Sequence, residues 1–443
     1  MNRRILIAGT HSGCGKTTVT LALLSALKAR GIPLAAFKCG PDYIDPMFHR
    51  EALKVPSRNL DPYFSTDAAL RAALAEQSGK LSVIEGVMGY YDGVGPAGEF
   101  STYDVARYTK TPVILVVNAK GMYTSAGAIL HGFREFQPQS NVRGVIFNGV
   151  SQGLYEGLKQ IALDAGVTPL GFLPHDRELS ISSRHLGLVT ADEIGGLQEK
   201  LGALGTLAQM HTDIDGLLAL AASAPTLHEK AQEVSSIASA RVAVARDSAF
   251  CFLYEENLVL LRTLGCELCF FSPLNDAALP KNIGALYLPG GYPELHLEAL
   301  SANVPMRQAV KAAIEDGLPT LAECGGFLYL HDTLDGFPMT GSIHAKAYRT
   351  EKLQRFGYEA LTAKKDNLLC KAGESIRAHE FHYYESSFCG DAFTAQKPNG
   401  LMWDSIHASE SLYAGFPHLY FPANRSFAEQ FVRKANDYAN KHI

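Results

Sequence analysis

The strongest constraint on the fold is a rhythm in which short apolar runs alternate with longer amphipathic stretches, twice along the chain. Arg4 to Ala8, Leu34 to Lys38, Ser82 to Glu85, Pro112 to Val117 and Gly144 to Phe147 are too continuously apolar for half-exposed strands. They read as buried parallel strands, and strand–helix alternation of this kind predicts a doubly wound α/β sheet. A second series follows, with strands expected at Arg241 to Ala245, Glu267 to Phe271, Ala285 to Leu288 and Pro319 to Ala322, and helices at Asn303 to Glu315 and Ser426 to Asn440. Between the two series, a helical stretch from Ala191 to Ala222 runs into Ser223 to Ala240, a small-residue, charged segment with no apolar period. The expected organisation is an N-terminal domain over 1–222, a linker over 223–240 and a C-terminal domain over 241–443. Length agrees, because 443 residues are more than one hydrophobic core usually serves.

Composition removes several classes of function. With 47% hydrophobic and 19% charged residues, the chain is neither disordered nor fibrous. Forty Lys plus Arg against forty-five Asp plus Glu, with no extended basic run, argue against a nucleic-acid partner. No stretch approaches the roughly eighteen apolar residues of a spanning helix, so no membrane partner is expected. The apolar run Ile5 to Ala8 is too short for a signal peptide and leads straight into Gly9. The eight cysteines lack paired metal-ligand spacing, Cys266 and Cys269 forming a single C-x-x-C in a strand-like stretch, and they read as free thiols in a reducing cytoplasm.

Directly after the first strand comes Gly9-Thr10-His11-Ser12-Gly13-Cys14-Gly15-Lys16-Thr17-Thr18, opening a helix. A Gly-rich turn at a helix N-terminus lets backbone N–H groups wrap a triphosphate, with Lys16 reaching the terminal phosphates and the Thr17 hydroxyl reaching Mg²⁺. Gly13, Gly15, Lys16, Thr17 and Thr18 are thus candidate ATP contacts, although five residues rather than four separate Gly9 from Gly15. Phosphoryl chemistry also needs hard oxygen ligands at strand ends. Gly40-Pro41-Asp42-Tyr43-Ile44-Asp45 follows the second strand, and Glu85-Gly86-Val87-Met88-Gly89-Tyr90-Tyr91-Asp92 follows the third. Asp45 and Glu85 join Thr17 as candidate metal ligands, Asp42 and Asp92 are candidates for the substrate side, and Asn148 could read an adenine edge.

In the second half, Ala322-Glu323-Cys324-Gly325-Gly326 places a sulfur on a sharp strand-to-helix turn. Such an elbow should expose Cys324 as a nucleophile, with the helix N-terminus and a partner His lowering its pKa and nearby N–H groups stabilising an oxyanion. Gly290 and Gly291, in a second glycine turn, could supply a further N–H to the bound substrate. Of fifteen histidines, His418 is the expected base, because it precedes the last helix at a probable strand end; His379 and His382 are its rivals. Strand alternation puts the latter two on opposite faces, which argues against their forming a metal pair.

Taken together, these segments resemble the cobyrinic acid a,c-diamide synthase family over nearly the whole chain. The match includes the Gly9 to Thr18 loop, Phe37-Lys38-Cys39-Gly40-Pro41-Asp42-Tyr43-Ile44-Asp45-Pro46, Glu85-Gly86-Val87-Met88-Gly89, Ser183-Arg184-His185-Leu186-Gly187-Leu188, Ala243-Val244-Ala245-Arg246-Asp247, Gly290-Gly291-Tyr292-Pro293-Glu294, Ala322-Glu323-Cys324-Gly325-Gly326, Leu353-Gln354-Arg355-Phe356-Gly357-Tyr358 and His379-Glu380-Phe381-His382. The resemblance implies a P-loop, dethiobiotin-synthetase-like domain followed by a class I glutamine amidotransferase-like domain. It also implies Cys324 and His418 as the glutaminase pair, ATP and Mg²⁺ as cofactors, and L-glutamine with cobyrinic acid as substrates, amidated at the c- and then the a-carboxylate. Arg184, His185, Arg246 and Arg355 are candidates to pair with the ring's carboxylates. Met47 in place of a Gly and His418-Leu419-Tyr420 in place of His-Leu-His depart from the family pattern. No Glu stands two residues after His418, as in Cys-His-Glu amidotransferases, in keeping with the cobyrinate branch. Nickel-sirohydrochlorin a,c-diamide synthase is the alternative, with the same chemistry on another tetrapyrrole; a homodimer is left open. A P-loop switch ATPase would not explain Cys324, and a stand-alone thiol amidase would not explain Lys16.

Overall fold

In the computed structural model, residues 2–175 and 196–442 are described. They fall into two units, Met1–Gln232 and Glu233–Ile443.

The first unit carries seven strands: β1 (Arg4–Gly9), β2 (Leu34–Cys39), β3 (Ser57–Leu60), β4 (Leu81–Glu85), β5 (Val113–Asn118), β6 (Val142–Asn148) and β7 (Thr168–Leu173). They form one sheet in the order β3-β2-β4-β1-β5-β6-β7, and every neighbouring pair is parallel. Alternation along β1 explains why its sequence is apolar throughout: Ile5 and Ile7 enter the core layer on one face, Leu6 and Ala8 that on the other. Fully burying one such side chain is worth about 1.5–3 kcal/mol, so a polar residue within these strands has to be repaid by a partner. The winding reverses at β1, which lies between β4 and β5, and the loop after a central strand at such a switch point is where doubly wound sheets bind ligands. The five strands expected from sequence are present within a residue or two of their expected ends. β3 and β7 lie at the sheet edges and carry too few apolar residues to be read from pattern.

The helix expected over Ala191 to Ala222 begins outside the described residues. Within them it is two helices, Leu197–His211 and Ile214–Ala222. The break has a local cause: Thr212 is extended, and Asp213 caps the second helix by accepting the Gly216 N–H at 2.8 Å. Residues 225–239 carry no regular secondary structure.

The second unit has a six-stranded sheet and a seven-stranded one. The first contains β8 (Ala240–Ala245), β9 (Cys266–Phe271), β10 (Ala285–Leu288) and β11 (Thr320–Glu323). Counting on, β12 (His331–Leu334), β13 (Phe337–Pro338), β14 (Ile343–Ala363), β15 (Ser375–Ser386), β16 (Phe393–Gln396), β17 (Met402–Ser405), β18 (His407–Ala408), β19 (Leu412–Gly415) and β20 (His418–Leu419) complete the unit. The order β18-β19-β11-β10-β8-β9 is parallel except at β18, and contains all four strands expected from sequence. The other sheet is mostly antiparallel, built around the β14–β15 pair, and was not legible beforehand. Register shifts between Arg349 and Gln354, and again before Gly357, interrupt the two-residue period that marks a strand. Among the described residues no helix is long and apolar enough to cross a membrane.

Candidate active sites of the two units

At the end of β1, the Gly-rich loop turns into helix α1 (Lys16–Ala29) through Gly13 at φ 81° and Gly15 at φ 102°. Both are left-handed conformations that disfavour other residues. A side chain at Gly9 would strike Cys14 and the Lys16 stem, and one at Gly15 would strike Asn148. The Asn148 amide donates to the Cys14 carbonyl at 3.0 Å, so this residue, expected to read adenine, also braces the loop from β6. A cavity of about 260 Å³ opens beside it, lined by Thr18, Asn118, Asn148, Lys120 and Pro174 among others. Lys16 donates to the His11 carbonyl at 3.2 Å, and burial lowers its pKa.

The carboxylates that sequence singled out converge on this loop, around a lysine it did not. Glu85, fully buried at the end of β4, accepts from the Thr17 hydroxyl at 2.6 Å and from Lys38 at 2.9 Å. Lys38 also pairs with Asp45 at 2.5 Å and reaches Asp42 at 3.9 Å, and His49 stands 3.4 Å from the other Glu85 oxygen. Burial opposes the Lys38 charge, yet Asp45, Glu85 and Asp42 hold its pKa well above the ordinary lysine range. Glu85 is buried too, but Lys38 and His49 keep it ionised, whereas burial and the Glu85 charge push Asp45 upward. The groups gathered beside the loop, Thr17, Asp45 and Glu85, present hard hydroxyl and carboxylate oxygens. That donor set fits a divalent cation such as Mg²⁺. Asp42 caps helix α2 (Ile44–Glu51), accepting from Ile44 and Asp45 N–H at 2.8 and 3.1 Å. Asp92 accepts the Gly89 N–H at 2.9 Å and shapes its own turn. A lone lysine in the otherwise apolar β2 is the signal that could have revealed Lys38. Arg184 and His185 lie outside the described residues.

In the second unit, Cys324 joins β11 to the short helix Gly325–Tyr329 at φ 44°, ψ −101°. For a residue with a Cβ this conformation stores strain of order 1–3 kcal/mol, and the elbow is held by the Cys324 N–H donating to the Gly415 carbonyl at 2.8 Å. The packing around it tolerates no side chain: a Cβ on Gly325 would lie 2.8 Å from the Gly291 nitrogen, and one on Gly326 2.1 Å from the Leu288 carbonyl oxygen. A Cβ on Gly290 would lie 2.2 Å from the His418 ring. One corner therefore gathers Cys324, Gly290, Gly291 and His418. The expected lowering of the thiol pKa is not what the surroundings produce. Burial, with the charges of Glu294 and Glu380, raises it, while burial and the charge of His382 bring His418 down to about 3. Burial thus favours the uncharged form of both the thiol and the imidazole.

Several residues around this corner were not foreseen. Glu323 accepts from Tyr287 and from the Leu419 N–H, both at 2.9 Å, and burial raises its pKa to about 8. Glu294 is likewise raised by burial, to about 7. Arg355, a candidate for ring carboxylates, is instead committed within the unit, donating to Glu380 and to both oxygens of Glu385. Arg246 stacks on Phe270 with its guanidinium 5.3 Å from the ring centre. His379 stands opposite His418 in the β15–β20 register, and His382 bonds Glu380.

Comparison with known proteins agrees with both halves. Residues 5–189 match the CobQ/CobB/MinD/ParA nucleotide binding domain, and residues 241–424 match the CobB/CobQ-like glutamine amidotransferase domain. The chain is 39% identical to the cobyrinate a,c-diamide synthase of Priestia megaterium, over 98% of this chain and 97% of that one. It is 39% identical to the protein of that name from Thermoplasma volcanium, over 99% and 98%. For the Clostridium acetobutylicum protein, also so named, the values are 38% identity over 97% and 100%. Similarity at this level along both full lengths means that the chain belongs to the cobyrinate a,c-diamide synthase family.

Proposed function

We propose that the chain converts two peripheral carboxylates of cobyrinate, a and c, into amides, using ATP and ammonia released from glutamine. The observation that carries this reading is the presence in one chain of a charged P-loop corner around Lys16 and Glu85 and a thiol elbow at Cys324, in a chain whose full-length relatives bear the cobyrinate name. Those names also favour a corrin over nickel-sirohydrochlorin.

A carboxylate is a poor electrophile, so one oxygen must become a leaving group. In this reading the loop amides at Gly13 and Gly15 and the Lys16 ammonium hold the triphosphate of ATP, with Thr18 and the neighbouring cavity toward the nucleoside. The γ-phosphoryl group passes to a substrate carboxylate oxygen, giving an acyl phosphate and ADP. Mg²⁺, held by Thr17, Glu85 and Asp45, would neutralise phosphate charge when bound. Lys38 keeps Glu85 ionised, and Asp42 orients the start of α2 beside Asp45. Ammonia then attacks the acyl carbon and phosphate leaves.

The ammonia comes from the second unit. Cys324 Sγ attacks the glutamine side-chain carbonyl as its proton passes to His418, and N–H groups at Gly291 and Gly325 lie where the oxyanion forms. His418 returns the proton to the departing nitrogen, leaving a γ-glutamyl thioester that water cleaves to glutamate. Each amide therefore consumes one ATP and one glutamine. In this reading the protein works in a reducing cytoplasm, a setting compatible with its eight free cysteines.

Mass spectrometry of cobyrinate and nickel-sirohydrochlorin, incubated separately with the protein, Mg-ATP and glutamine, tests the substrate. Two successive acid-to-amide mass changes on cobyrinate are expected; amidation of the nickel compound alone contradicts the corrin assignment.

A further inference from the structure

The reaction above leaves the His379-Glu380-Phe381-His382 segment of β15 without a task, yet its buried side chains pack toward the thiol corner. The His382 ring is hydrogen-bonded at both nitrogens: Nδ1 lies 2.5 Å from the Tyr384 carbonyl oxygen and Nε2 lies 2.6 Å from Glu380 Oε1. A carbonyl oxygen only accepts. The same Glu380 oxygen also accepts from Arg355 Nε at 2.9 Å, which makes it the oxygen of an ionised carboxylate rather than a hydroxyl. The His382 ring is thus held from both edges, between Glu380 and the Tyr384 backbone. Arg355 is fixed in turn by its two bonds to Glu385, at 2.7 and 2.9 Å.

This ring is stacked flat on Phe416, with ring centres 3.8 Å apart and planes 5° from parallel. Phe416 follows Gly415, whose carbonyl takes the Cys324 N–H, and precedes His418 by two residues. Phe416 also packs edge-on against Phe327, in the helix that the elbow opens. One short turn thus holds both the backbone of the nucleophile and the base, and its central side chain lies between His382 and Phe327.

We propose that His382 is a positioning residue of the thiol site: a ring fixed by Glu380 and the Tyr384 carbonyl clamps Phe416, and through it the turn that carries the elbow's hydrogen bond and His418. The inference rests on the glutaminase reading of Cys324 and His418. The charged or titratable groups around His382 and its partner Glu380 are Arg355 on β14 with Glu385 behind it, Glu359 on β14 with Lys397 just after β16, and His418 on β20. After burial, the charge of His382 is the main influence keeping His418 neutral, opposed by Glu380. Neutral imidazole is the form able to take the Cys324 proton. His382 thus both places the base and favours its neutral form.

The test is His382→Gln in the full chain, followed by glutamine hydrolysis across pH and by amidation driven with free ammonia. The expected result is a fall in glutaminase kcat of about tenfold or more with little change in the glutamine KM. The acid limb of the profile should move up by roughly one pH unit as the like charge near His418 disappears, and ammonia-driven amidation should persist. An unchanged kcat and profile would overturn the proposal. If the variant loses ammonia-driven amidation as well, its fold is damaged, and Phe416→Leu, which removes the stacking partner and keeps both histidines, decides instead. The same fall in glutaminase kcat is expected there, and an unchanged kcat overturns the proposal. A wild type that hydrolyses no glutamine removes the glutaminase reading, and this inference with it.

Discussion

The two corners solve opposite electrostatic problems with the same local device. Each places its reactive group on a glycine-rich turn between a central parallel strand and a helix, Lys16 after β1 and Cys324 after β11. Around Lys16 the protein collects charge: Lys38, Asp45 and Glu85 are buried together and hold one another in place. Around Cys324 it suppresses charge on the reacting groups, with the thiol raised and the imidazole lowered by burial. The contrast follows from the chemistry. A transferring phosphoryl group is anionic throughout and needs fixed countercharge, whereas thiol addition to an amide starts from neutral partners and needs charge only in passing.

If this contrast is right, damage on one side should leave the other working. Lys16→Ala removes the phosphate-facing charge and should lower ATP-dependent amidation by about 10²–10³-fold, while glutamine hydrolysis by the second unit changes little. Loss of both activities together would break the separation. Lys38→Met leaves two buried carboxylates facing each other and should cost about 3–5 kcal/mol of stability in the first unit, read as a lowered denaturant midpoint for that unit's transition. A full-strength midpoint would mean that the cluster is not electrostatically held.

Smaller effects sharpen the second corner. Gly290→Ala drives a methyl into His418 and should lower glutaminase activity by roughly 10–10²-fold, with ammonia-driven amidation retained. Glu323 concerns stability and pH. Its carboxyl keeps its proton in the folded state up to about 8, against 4.5 in the unfolded chain. Folding therefore takes up a proton in that window, and the wild type should lose at most about 1.4 kcal/mol per pH unit as pH rises through it. Denaturation of Glu323→Gln across pH 5 to 8 should show a flatter dependence, and an identical slope would mean that Glu323 is ionised in the fold.

Much of the two parallel sheets was legible in the sequence, because strands buried on both faces are written as continuous apolar runs, as in Ile5 to Ala8 and Val242 to Ala245. The reactive residues were legible where glycine spacing forces a turn, at Lys16 and Cys324. What surrounds them was not. Lys38 and Glu380 act through partners 47 and 25 residues away in sequence, Glu85 and Arg355, and no local pattern records such pairings. The antiparallel sheet escaped because the shifts near Gln354 break its alternation. Asn148 was legible as a residue at the right strand end, but its hydrogen bond to the Cys14 carbonyl, 134 residues away in sequence, was not.

The most direct test of the central claim, two half-reactions joined only by ammonia, is Cys324→Ala assayed for amidation with glutamine and with ammonium salt at alkaline pH. The account predicts no product from glutamine and near wild-type diamide from ammonia. Equal loss with both nitrogen sources would contradict it, because Cys324 would then serve the synthetase step itself.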